Sequence, residues 1–254
     1  MSNQEKTTLP TIHQTSTVQS VAELELVKAK TAIEQFIYSC SHTMRGPLKS
    51  IAGLVNLLKS SEGNPEVSAA YYLQFIETSV AKLESVLNDL EQFLTNSNQD
   101  IKTLAIDIKE LIGDVLGDFQ RRIDEKKIKI AITIDHSAPL YADRNRLRII
   151  LSHLIANAVA YQDEQKSEKQ IDISVKINST SCAVNIRDNG IGMRERIMSK
   201  MFQLFFRGSE KSVGAGVGLY VVNEVISRMG GTITARSKPN KGSRFSFSIP
   251  NLSN

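Results

Sequence analysis

The chain has no tryptophan, only two cysteines and no apolar run approaching the length of a bilayer. Each absence narrows the reading. A membrane-spanning helix needs about 20 consecutive apolar residues, and the N-terminus also lacks the apolar core of a secretory signal. Cys40 and Cys182 fall in a helical and a strand pattern with no metal-ligand spacing between them. They read as structural thiols in a reducing cytoplasm. Aromatic residues make up only 6% of the chain, and its 31 Lys and Arg are scattered among 27 Asp and Glu, for a formal net charge of +4. Few aromatics beside basic clusters argue against nucleic-acid binding. What is present, 254 residues with 41% hydrophobic and 23% charged, is the composition of a soluble globular protein with one large or two ordinary domains.

The pattern divides the chain in three. Residues 1–20, rich in Ser, Thr and Gln without an apolar period, read as disordered or as the cut end of a longer protein. Residues 21–98 read as a two-helix hairpin. Its first helix carries an apolar stripe through Ile33, Ile37, Cys40, Met44, Leu48, Ile51, Val55 and Leu58. Ser61–Pro65 supplies the turn, and the second helix carries a heptad seam of Leu73, Ile76, Val80, Leu83, Leu87, Leu90 and Leu94. Two helices cannot bury both stripes alone, so a symmetric four-helix dimer is predicted. Residues 99–254 alternate between strand and helix periods and close with a hairpin, which predicts an α+β sandwich with helices on one face of a mixed sheet. A strand is expected over Ile101–Ile106. A helix capped by Asp107 with Glu110 should run to about Glu125, and another capped by Asp143 to Tyr161.

Four features carry chemistry. His42 lies in the helical segment Phe36–Leu48, FIYSCSHTMRGPL, with Gly46 and Pro47 just beyond it. Proline within a helix removes one hydrogen bond and crowds the carbonyl four residues back, so a bend after His42 is expected. The helical period places His42 off the apolar stripe, towards solvent. Asn157 sits among Leu154, Ile155, Ala158 and Val159 on a helix. It reads either as a buried hydrogen-bond partner or as a hard oxygen ligand for Mg²⁺ beside phosphate. DNGIG, Asp188–Gly192, ends a strand. A tight turn is one reading, but the following MRERIMSK reads as helix, and a fixed carboxylate beside glycines suits the amine of a base. Gly214, Gly216 and Gly218 feed a helix N-terminus, an anion site in principle, without the Lys-Ser/Thr of a Walker motif.

In this order (Asn157 on a helix, DNGIG after a strand, FQLFFRG at Phe202–Gly208, then GxGxG into a helix and a closing hairpin) the motifs resemble the GHKL-type ATPase domain of histidine kinases, gyrase-type ATPases and Hsp90. The segment around His42 resembles the phosphoacceptor box of sensor histidine kinases of two-component systems. The resemblance spans roughly residues 22–250. It implies a homodimeric, ATP-dependent protein-histidine kinase that autophosphorylates His42, with Thr43 beside it, and passes the phosphoryl group to a response-regulator aspartate. It also implies Asn157 as Mg²⁺ ligand and Asp188, Gly190 and Gly192 as the adenine pocket. Phe202 and Arg207 would belong to the F box, and Gly214, Gly216 and Gly218 to the second glycine box. Residues 193–213 would form a mobile lid over the ATP.

The chain departs from that pattern in places. Thr43 stands where an acid usually follows the histidine, and Gly46 where Thr or Asn positions the dephosphorylating water. That predicts weak phosphatase activity. His153 replaces the earlier Asn of the N box, and Ala160 replaces a Lys. A pseudokinase that docks a regulator without efficient catalysis is the competing expectation. A serine kinase with the same ATPase domain leaves the helical hairpin unexplained.

Overall fold

The computed structural model describes residues 27, 34, 37, 38, 41, 43–59, 69–98, 100–204, 206–208 and 216–252. His42, Gly214 and the expected turn at Ser61–Pro65 lie outside these residues. Helix α1 runs without interruption over residues 43–59, through Gly46 and Pro47, and α2 covers Ala69–Asn98. The inward positions of α2 are Tyr72, Ile76, Ser79, Leu83 and Val86, spaced by fours and threes. This splits the predicted seam. Ile76 and Leu83 turn inward as expected, but Leu73, Val80 and Leu87, seven apart, stay 41–53% exposed. Leu90 and Leu94 carry no described side chains.

The C-terminal part is built on a five-stranded sheet in the order β2-β4-β5-β7-β6. Its strands are β2 (Ile128–His136), β4 (Lys169–Ile177), β5 (Ser181–Asp188), β6 (Thr232–Lys238) and β7 (Gly242–Pro250). Only β2 and β4 pair in parallel, with all other neighbours antiparallel. A separate ribbon pairs β1 (Leu104–Ile106) with β3 (Leu140–Ala142). The expected strand at Ile101–Ile106 is thus only three residues long, and β3 had no forewarning in the pattern.

Alternation makes the sheet two-faced. Ile171, Ile173, Val175, Val184, Ile186, Phe245 and Phe247 are buried on its inner face. Helices cover that face: α3 (Ile108–Asp118), α5 (Arg144–Ala160) and α7 (Gly218–Arg228) supply Leu111, Ile112, Leu147, Leu151, Leu154, Val221 and Val225 to one core. The predicted sandwich with helices on one face is what is observed. Asp107 caps α3 by accepting from the Lys109 and Glu110 N–H groups, and Asp143 caps α5 by accepting from Arg146 N–H. The first cap leads to a shorter helix than expected. The chain breaks at Phe119, and α4 (Gln120–Glu125) restarts separately.

Asp143 does more than cap. Its carboxylate also accepts from Lys102 N–H at 3.0 Å and pairs with the buried Arg146 guanidinium at 2.8 Å. Burial pushes this carboxyl up, but those backbone donors and Arg146 together hold it below its usual value. Arg146 in turn reaches the Asp100 carbonyl at 3.2 Å, so the pair ties the segment just after α2 to the root of α5.

Candidate functional site

The end of β5, the C-terminal half of α5, the β6–β7 hairpin and the start of α7 meet at one edge of the sandwich. Asp188 is the last residue of β5 and falls on the inner, buried side of the strand, 6% exposed. Its Oδ1 accepts from Gly190 N–H at 2.8 Å and from Ser243 N–H at 3.2 Å. Burial pushes the carboxyl above its ordinary value, opposed by those N–H donors and by the Lys166 ammonium. A buried carboxylate held by backbone donors from two loops is fixed in direction before any ligand arrives.

The glycines after it are demanded by close approach. A Cβ at Gly190 would lie 2.1 Å from the Tyr161 carbonyl oxygen, where Ile191 N–H donates at 3.0 Å. Gly192 has φ +65°, and a Cβ there would lie 2.0 Å from the Lys238 carbonyl oxygen. The loop therefore packs backbone to backbone against the end of α5 on one side and the hairpin on the other. Met193 N–H donates to Ser237 Oγ at 2.7 Å, and Asn240 N–H to the Ile191 carbonyl at 2.7 Å. Asn189 points away from any ligand role: its amide accepts from Gln170 N–H and donates to the Glu168 carbonyl, pinning the loop to β4.

Lys166 locks the assembly. Its ammonium donates to the carbonyls of Asn189, of Gly190 at 3.3 Å and of Asn240 at 2.9 Å. One side chain thus holds the Asp188 loop and the hairpin together. Sequence reasoning missed it, because nothing local marks a lysine whose partners lie 23, 24 and 74 residues away.

On α5, His153, Asn157 and Tyr161 are four residues apart and share a face. The Asn157 side-chain amide, half-buried, makes no hydrogen bond to any described residue, although its backbone carbonyl accepts from Tyr161 N–H. Its side-chain oxygen is therefore open to a ligand. His153 lies under the start of α7: a Cβ at Gly218 would come within 2.8 Å of its Nδ1. Burial pushes this imidazole down to about 4, so it is neutral near pH 7. The first turn of α7 has no side-chain cap, and Gly216 just before it has φ +75°. Its N–H groups are therefore not taken up by a capping side chain.

Residues 142–253 match the family described as histidine kinase-, DNA gyrase B-, and HSP90-like ATPase. This part of the chain is similar to the ATPase domains of that family. Over nearly its whole length the chain is similar to sensor histidine kinases. It is 27% identical over 236 residues to the sensor histidine kinase AtsR of Burkholderia thailandensis, covering 89% of this chain but 38% of that protein. The chain thus spans well under half the length of this relative. The full-length ShkA structure in complex with AMPPNP is 26% identical, with a TM-score of 0.62 over 87% of this chain and 46% of that one. The histidine kinase ThkA, solved with the response regulator protein TrrA, has the same fold. Its TM-score is 0.66 at 23% identity, over 91% of this chain and 64% of that one.

Within residues 142–253, Asn157 on α5, Asp188, Gly190 and Gly192 in the loop after β5, and Gly216 and Gly218 at the start of α7 all belong to this edge. Phe202 is half-buried and packs against the core. Arg207 is exposed beside residues 209–215, which with Gly214 lie outside the described residues. The helix expected over MRERIMSK shrinks to α6 (Glu195–Met198). Thr43 is half-buried on α1, outside residues 142–253.

Proposed function

We propose that the chain is an ATP-dependent protein-histidine kinase. His42 takes the γ-phosphoryl group of ATP and passes it to an aspartate of a response-regulator receiver domain. The observation that carries this reading is Asp188, a buried carboxylate oriented by two backbone N–H donors at the edge of an ATPase-family domain. Both donors go to Oδ1, which leaves Oδ2 for the adenine amine.

The other residues take the following roles in this reading. Gly190 and Gly192 wall the base. The uncapped start of α7, with Gly214, Gly216 and Gly218, faces the phosphates, where free N–H groups and the helix dipole favour negative charge. Phe202 and Arg207 border the phosphate end. Asn157 supplies one hard oxygen to Mg²⁺, whose remaining positions are suited to phosphate oxygens and water. Among the described residues no cluster of His, Cys, Asp or Glu offers an alternative metal site. When bound, Mg²⁺ would neutralise charge on the triphosphate, and positioning does most of the work in phosphoryl transfer. In the transfer a neutral imidazole nitrogen of His42 forms the P–N bond as ADP departs. Thr43 can orient that ring but is a poor base.

The boundary between the hairpin and the ATPase-type domain is placed near residue 98. The exposed Leu73, Val80 and Leu87 stripe suits a homodimer, in which a second copy covers it as a four-helix bundle. The response regulator as partner is supported by the complex of ThkA with TrrA. A reducing cytoplasm is the proposed setting. Among the described residues no helix is long and apolar enough to cross a membrane.

A second reading, a nucleotide-binding pseudokinase, is favoured by His153 under the α7 start and by the neutral Thr43 and Ala160. Incubation with γ-labelled ATP and Mg²⁺ separates the two. The kinase incorporates label that is acid-labile, base-stable and lost in His42→Ala, whereas the pseudokinase binds nucleotide without labelling. Unchanged Mg-ATP affinity in Asn157→Ala would remove that residue as the metal ligand.

A further inference from the structure

The outer face of the main sheet, opposite the helices, carries an arrangement that the nucleotide site does not use. Strand register aligns Arg187 of β5 with Arg244 of β7, and Arg244 with Arg236 of β6. Three arginines thus stand side by side on adjacent strands, with Arg187 and Arg244 exposed and Arg236 lining the same depression. Lys238 and Lys241 extend the cluster at the hairpin end, and that depression, of about 200 Å³, lies among these five side chains with Asp188 and Ser243 also on its wall. A second, of about 230 Å³, adjoins it between Arg187 and Arg244.

Like charges placed directly opposite on neighbouring strands destabilise a sheet. Among the described residues no carboxylate lies within ion-pair distance of Arg187, Arg236 or Arg244. The acid that continues the row, Asp172 opposite Arg187, is engaged instead by the Gln170 amide at 2.5 Å. The row directly beside it is Ser174, Asn185, Ser246 and Thr234, small side chains in register on the same four strands. The face is therefore a cationic ridge beside a low polar floor.

We infer that this face docks an acidic α-helix of a partner protein, lying across the strands with one carboxylate against each arginine. The spacing decides for a helix. Adjacent strands are about 4.8 Å apart, so the three arginines span roughly 10 Å. Acids at positions i, i+3 and i+7 share one helix face and also span roughly 10 Å at a rise of about 1.5 Å per residue. The small-residue floor lets the helix backbone lie close, and the planar guanidinium of each arginine matches a carboxylate in two-pronged fashion. The arginine row lies on the face opposite α5 and α7, and it meets the proposed nucleotide site only where Asp188 and Ser243 border the first depression.

The test uses the full chain and two fluorescein-labelled alanine-based peptides of identical composition. One carries glutamates along a single helix face, and in the other they are spread around the helix. Fluorescence anisotropy should show the one-face peptide binding about tenfold more tightly, the sum of three modest ion pairs. Arg187→Glu with Arg244→Glu should abolish that preference and transfer it to a peptide with lysines in the glutamate positions. Thermal melting checks that the variant is folded. If it is not, Arg244→Gln alone should still weaken the one-face peptide several-fold. Equal binding of the two peptides, or unchanged binding by the variants, overturns the inference. So does stoichiometric displacement by inorganic triphosphate, which would mark a site for small polyanions.

Discussion

Replacing Asp188 by Asn changes one oxygen for an NH₂ group and leaves the shape of the pocket intact. The substituted amide can keep its oxygen towards the N–H groups of Gly190 and Ser243, now 2.8 and 3.2 Å from Oδ1, so the loop retains both bonds. Its NH₂ then stands where Oδ2 was and meets the adenine amine donor to donor. A hydrogen bond to a charged acceptor contributes about 1.5–3 kcal/mol, and each step of about 1.4 kcal/mol is a factor of ten in affinity. ATP binding should therefore weaken roughly 10- to 150-fold. Inosine triphosphate, which carries a carbonyl oxygen in place of the amine, should lose much less and can gain. Folding stability should change by less than about 1 kcal/mol, because the bonds within the loop persist and a buried charge is removed. Titration of both nucleotides against the wild type and the variant, with urea unfolding as control, measures all three quantities. Equal losses for the two nucleotides would refute base recognition by this carboxylate. An unchanged ATP affinity would refute the pocket assignment altogether.

Three further outcomes follow from the same structure. Lys166→Met strips a shared donor from the Asn189, Gly190 and Asn240 carbonyls. It should cost about 1–2 kcal/mol in urea unfolding and weaken ATP several-fold, and a variant matching wild type in both would show that the lysine is not the clamp. His153 has a folded pKa of about 4 against 6.5 when unfolded, so the unfolded chain binds the extra proton between those values. Stability contributed by the neutral ring is complete above the unfolded value and is lost as pH falls through it, levelling off below the folded one. The loss should reach about 3 kcal/mol, and His153→Asn should remove this component of the pH profile of unfolding. Cys182 is buried, with its thiol pushed up to about 12, so iodoacetamide in mild alkali should alkylate it only after denaturation, read by mass spectrometry of its peptide.

What the sequence revealed and what it hid divide along physical lines. The Asp188–Gly192 loop and the α7 glycines were legible because each has a local cause: a strand end, backbone contacts closer than any Cβ permits, and an uncapped helix start. The alternating strands were legible for the same reason. Lys166, Ser237 and Ser243 were not, because their contacts to the loop are made across the fold by residues with no distinctive neighbours. The α2 stripe was legible as a whole, but which part of it a single chain turns inward was not. Periodicity shows which residues leave water, not which of them face the same chain. Leu73, Val80 and Leu87 are exposed here although they continue the heptads of Ile76 and Leu83. The ribbon strand β3 is three residues long, too short to show alternation. The outer arginine row was invisible for another reason: Arg187, Arg236 and Arg244 become neighbours only through strand register.

Phosphorus NMR of the protein after treatment with Mg-ATP reads directly whether phosphate moves from ATP to the His42 ring. A kinase gives a protein-bound resonance in the phosphoramidate region that is absent from His42→Ala and strongly reduced in Asp188→Asn at limiting ATP. A phosphoester resonance that persists in His42→Ala, or no protein-bound phosphorus while the nucleotide remains bound, would contradict it.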